Sequence, residues 1–124
     1  MRAIHLTACV AALIAGAADA RSREVPAATP NGKPLDCVNL QDIRDTQVRS
    51  DQVIDFTMRN KKVYRNTLPG TCPQLGFEER FAYSTSLSKL CSTDTITVLQ
   101  TPGISRGATC GLGQFQPVTI APSR

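Results

Sequence analysis

Histidine occurs once in this 124-residue chain, at His5, so acid–base chemistry further along must fall to carboxylates, lysines or hydroxyls. Ser-His-Asp triads, Cys-His dyads and histidine metal sites are thereby excluded from everything after the first few residues. The carboxylates considered for proton transfer are Asp51, Asp55, Glu78, Glu79 and Asp94. Glu78 and Glu79 are adjacent, and on a strand they point to opposite faces, so they cannot act together on one substrate. A glycosidase-type pair needs two carboxylates facing each other across a cleft, which so small a domain rarely encloses. Asp94 is placed to bond nearby backbone and shape the turn after Cys91. Tyr83, Ser84, Thr85 and Ser86 supply hydroxyls, and Lys89 is the amine that could activate a serine, with nothing beside it in sequence to bury it. Gly111-Leu112-Gly113 superficially matches a phosphate loop but leads into Phe115-Gln116-Pro117, which cannot open a long helix. A non-catalytic chain is expected, with a carboxylate-dependent enzyme as the third reading.

Five cysteines are present: Cys9, Cys37, Cys72, Cys91 and Cys110. None forms a C-x-x-C pair, the spacing on which zinc ribbons and thioredoxin-type redox sites depend. The last four are therefore read as two structural disulfides made in an oxidising compartment. Four cysteines allow three connectivities. The expected one is nested, Cys37 with Cys110 and Cys72 with Cys91. No metal and no cofactor is expected.

A basic group, Arg59, Lys61, Lys62 and Arg65, surrounds a predicted hairpin turn. It could meet anionic glycolipid or polymer by charge attraction, or serve as an ordinary solvated turn whose lysines discourage edge-to-edge pairing. A net charge of +4 is mild for a nucleic-acid binder. Of the aromatic residues that could stack on bases, alternation sends several to the core. Nucleic acid is thus an unexpected partner. An envelope protein or an anionic envelope polymer is the expected one.

The elements that must position these residues begin after an export signal. Met1-Arg2 is a short positive start, Ala8 to Ala18 is apolar, and Ala18-Asp19-Ala20 is a small-x-small cleavage pattern. So short an apolar run cannot span a bilayer, which takes about 20 helical residues. No transmembrane segment is expected in the mature chain. Leu6-Thr7-Ala8-Cys9 resembles the approach to a lipidated cysteine, yet too few residues precede Cys9 for a charged region and an apolar stretch. Cys9 is read as one more apolar residue of the signal. The organisation follows: signal peptide 1–20, flexible Pro- and Gly-containing leader 21–35, one domain 36–120 and a tail 121–124. Export places the protein in the periplasm or outside the cell.

Within the domain, Ile54, Phe56 and Met58 alternate with Asp55, Thr57 and Arg59, the period of a strand with one buried face. Val63 to Leu68 follows after Asn60-Lys61-Lys62, so the two runs read as a hairpin with a basic tip. Pro69-Gly70 ends it. Phe81, Tyr83 and Thr85 alternate again, and Ile96 and Val98 share a face in the β-branched run 94–100. Cys72 to Gly76 and Gly107 to Gly113 read as loops, and Phe115 to Ile120 as a last short strand interrupted at Pro117. Val38, Leu40 and Ile43 fit a short strand or one helical turn equally well. The fold class is all-β, a small barrel or sandwich of five or six strands stapled by disulfides.

Cys37-Val38-x-Leu40-x-x-Ile43, Lys62-Val63-Tyr64-Arg65-Asn66-x-Leu68, Cys72-Pro73-x-Leu75, Leu90-Cys91-x-x-Asp94-x-Ile96-x-Val98-Leu99 and Cys110-x-Leu112-Gly113-x-Phe115-x-Pro117 belong together. As a set they resemble a family of small exported Gram-negative bacterial proteins classed as a domain of unknown function. The resemblance covers Cys37 to Val118. It implies an exported single domain and carries no activity and no site residue with it.

Overall fold

The computed structural model describes residues 24–85, 87–101, 103 and 105–122. The signal peptide, Cys9 and Ser86 therefore lie outside the described residues, as does the end of the expected tail. The strands are β1 (Ala28–Pro30), β2 (Cys37–Asn39), β3 (Ile43–Val48), β4 (Val53–Met58), β5 (Val63–Thr67), β6 (Phe81–Tyr83), β7 (Lys89–Cys91), β8 (Thr95–Gln100), β9 (Ser105–Gly111) and β10 (Phe115–Ile120). The one α-helix among the described residues, α1, is a single turn at Leu75–Glu78, and a 3-10 turn spans Leu40–Asp42.

These strands form an open sandwich rather than a closed barrel. One layer is a five-stranded antiparallel sheet in the order β1-β10-β5-β4-β3; a three-stranded sheet, β6-β8-β9, and the pair β2-β7 make up the rest. Ile54, Phe56, Met58 and Phe115 from the large sheet share one buried cluster with Ile96, Val98, Val38 and Leu90 from the smaller ones. Phe56 stands at its centre, edge-on to Phe115 at 5.3 Å between ring centroids and to Phe81 at 6.4 Å. Edge-to-face geometry sets the positive ring edge against a neighbour's negative face, so these contacts add to the burial of area. No helix among the described residues is long and apolar enough to cross a membrane.

The disulfides are Cys37–Cys91 and Cys72–Cys110, so the nested pairing expected from the sequence is incorrect. Strand register decides the first: β2 and β7 run antiparallel with Cys37 directly opposite Cys91. Cys110 lies on β9 opposite the buried Ile96, which directs it to the interior where Cys72 is buried. Hydrophobic patterning carries no information about which strands become neighbours, and that is what fixed the partners.

The described residues form ten strands rather than five or six, and further expectations of the chain's course are corrected. Residues 24–35 are not a free leader: β1 pairs with β10, and Leu35 forms a bridge with Phe115. The stretch from Gly107 to Gly111 is strand, not loop, because β8 supplies a ladder and Thr97 and Thr109 meet hydroxyl to hydroxyl at 3.0 Å. Pro117 does not interrupt β10. Its carbonyl accepts Asn31 N–H at 3.0 Å, so its ring nitrogen faces the end of β1 rather than β5, and the one return bond it cannot make lies at the margin of the sheet.

Candidate functional site

The β4–β5 hairpin closes through a three-residue loop, Arg59-Asn60-Lys61. Met58 N–H donates to Lys62 O at 2.8 Å and Lys61 N–H donates back to Met58 O at 2.9 Å. Such a loop requires a left-handed residue at its last position, and Lys61 fills it with φ 71°. The Asn60 side-chain oxygen accepts Lys62 N–H at 3.0 Å, and Arg59 N–H donates to Asp42 O at 2.8 Å, which ties the tip to the segment entering β3. Arg59, Lys61 and Lys62 are all exposed on this tip.

A groove runs along each side of the tip. One, of about 910 Å³, carries Lys33, Lys61 and Lys62 together with Asn31. The other, of about 360 Å³, carries Arg59, Lys89 and one acid, Asp42. Leu35, Asn60 and Tyr64 line both. Three of the four basic residues singled out in the sequence thus come together. Lys33 and Lys89 join them through tertiary structure alone: the 31–35 segment is held by Phe115 and Pro117, and β7 by β2.

Arg65 does not belong to this group. It turns onto the opposite face of the large sheet, where its Nε and Nη2 donate to Asp55 at 2.8 and 3.0 Å and its Nη1 donates to Pro26 O at 2.8 Å. Arg49 Nε donates to the same carboxylate at 2.9 Å. Asp55 is only 1% exposed, although alternation placed it on the polar side of its strand. Polar in sequence here means packed between two guanidinium groups and under the N-terminal segment, not solvated. One signal in the sequence pointed to the pair, since Asp55 and Arg65 are equidistant from Asn60 at the tip and hence directly opposite in register.

The other carboxylates hold backbone. Asp94 accepts Cys91 N–H at 2.7 Å, as its position in the turn predicted. Asp51 accepts Gly76 N–H at 2.7 Å, and a side chain at Gly76 would collide with that same oxygen. Glu78 is in α1 and accepts from Thr101; Glu79 closes that turn at φ 56°, so neither lies on the strand expected there. Lys89 is exposed, its carbonyl accepting the Thr85 hydroxyl at 3.0 Å.

Gly113 is a point of close approach rather than a phosphate loop. Fully buried Asn66 donates to Gly113 O at 2.7 Å and accepts Gly113 N–H at 2.8 Å, a side-chain amide imitating one rung of a sheet. A Cβ at Gly113 would run into Thr67 O. No protein-family model, curated protein or solved structure matches the chain.

Proposed function

We propose that this chain is an exported, non-catalytic binding domain whose basic end engages an anionic polymer of the cell envelope. The observation that carries this reading is the gathering of Lys33, Arg59, Lys61, Lys62 and Lys89 around one hairpin tip, while Asp51, Asp55, Glu78 and Asp94 are engaged in holding the fold. Lys61 supports it as well. Glycine or asparagine would sit at φ 71° with less strain, so a lysine there keeps a cation at the tip at some cost in stability. Export rests on the signal-like N-terminus and on the two disulfides, which suit an oxidising compartment. Membership in the small exported Gram-negative family rests on the cysteine-centred motifs.

The test is retention on immobilised heparin, used as a generic polyanion, across a salt gradient. Lys61→Asn combined with Lys62→Glu should lower affinity by about tenfold and flatten the salt dependence, since fewer counterions are released. Elution at the same salt as the parent would refute the reading.

A further inference from the structure

The two grooves are not equivalent halves of a smooth basic surface. They meet at Tyr64, which lines both. Tyr64 packs partly against the core through its position opposite Phe56 and remains half-buried. Its hydroxyl has no hydrogen-bond partner among the described residues, and no buried polar side-chain atom is left unsatisfied there, so that hydroxyl meets solvent at the grooves. Amide side chains stand on both sides. Asn60 uses its oxygen on Lys62 N–H, leaving its NH2 group for a ligand, and Asn31 uses its NH2 group on Thr119, leaving its oxygen.

We propose that the basic end takes a single chain of acidic polysaccharide, with Tyr64 as the platform beneath one sugar and the two cation clusters pairing with carboxylates on either side. This deepens the function proposed above and rests on it. A sugar ring offers an apolar face to an aromatic ring and hydroxyls to amides, and an acidic polysaccharide repeats its charge along one strand, matching Lys33, Lys61 and Lys62 on one side and Arg59 and Lys89 on the other. Single-stranded nucleic acid needs successive aromatic platforms, whereas the grooves hold one aromatic residue between them. A membrane surface favours several apolar side chains that protrude for insertion, and the two most exposed among the described residues, Phe77 at 80% and Leu87 at 65%, line neither groove, which Leu35 at 40% lines as a single exposed aliphatic.

The experiment is fluorescence anisotropy of the disulfide-bonded protein with labelled oligogalacturonate. Polyphosphate of matched charge and phosphatidylglycerol vesicles serve as competitors. Tyr64→Leu fills the core side of the site and removes the platform, and thermal melting checks its fold. The expected result is tighter binding of oligogalacturonate than of either competitor. Tyr64→Leu should weaken oligogalacturonate by about fivefold to tenfold, the worth of one aromatic contact, and leave polyphosphate within about twofold. Amide resonances of Asn31, Asn60 and Tyr64 should shift together on titration. Preference for polyphosphate, or indifference to Tyr64→Leu, would overturn this inference and leave the basic-end reading standing, whereas preference for vesicles would overturn both, since a lipid surface is not a polymer. Failure to bind any of the three would overturn both.

Discussion

Asp55 is the residue on which two elements depend. It accepts from Arg49 and Arg65, and Arg65 in turn donates to Pro26 O. Removing one member of a buried ionic group leaves the others uncompensated, which costs about 3–5 kcal/mol. Asp55→Ala should therefore lower the urea midpoint by that equivalent, while removing both charges of the main pair, as Asp55→Leu with Arg65→Met, should recover much of it. Gly113→Ala tests close approach rather than charge. Its methyl would push Thr67 O away and strain the Asn66 bonds on both sides, so a loss above about 2 kcal/mol is expected. Lys61→Gly should act in the opposite direction, stabilising by up to about 1 kcal/mol while weakening retention on heparin. A tip lysine with no ligand to meet would give the gain without the loss.

At the level of the element, β1 is the most exposed of these dependencies. Three residues pair it with β10, Ala121 N–H donates to Ala27 O at 2.9 Å beyond the ladder, and Arg65 holds Pro26. So short an edge strand has little stability of its own. Arg65→Met should release it most, and hydrogen exchange should show a larger loss of protection at Thr119 and Ala121 than the general fall at Ile54 and Phe56 that breaking the ionic group brings. Uniform loss of protection across both sheets would mean that β1 is coupled to the whole core instead. The hairpin shows how local rules and register combine. A three-residue loop sets Lys61 in the left-handed region, and the same count from the tip sets Asp55 against Arg65.

For the whole molecule, the disulfides are the main reinforcement of a small core. Cys37–Cys91 spans 54 positions and Cys72–Cys110 spans 38, loops long enough for about 4 kcal/mol each in the chain-entropy description. That is comparable with the total stability of a small domain, so full reduction should unfold the protein at ambient temperature, read as loss of near-ultraviolet circular dichroism. Peptide mapping without reduction should recover Cys37 with Cys91 and Cys72 with Cys110, and recovery of Cys37 with Cys110 would contradict the register of β2 and β7. The links are also arranged differently from nested ones. Cys37–Cys91 secures the small β2-β7 sheet, and Cys72–Cys110 secures the loop before α1 to β9.

The sequence by itself determined what local chemistry can determine. Alternation at Ile54, Phe56 and Met58, and at Ile96 and Val98, named the inward faces of β4 and β8, because a side-chain period of two is a property of the strand itself. The turn residues placed the hairpin tip and the Asp94 turn, since both close within a few positions. Tertiary structure decided which strands became neighbours, and with that the disulfide partners, the inclusion of β1 in the sheet, and the arrival of Lys33 and Lys89 beside Lys61 and Lys62. It also decided the fate of Arg65, which the sequence set on a basic surface and the fold turned onto Asp55. Each of these depends on contacts between residues far apart in the chain, and a hydrophobic pattern records which face is buried without recording against what.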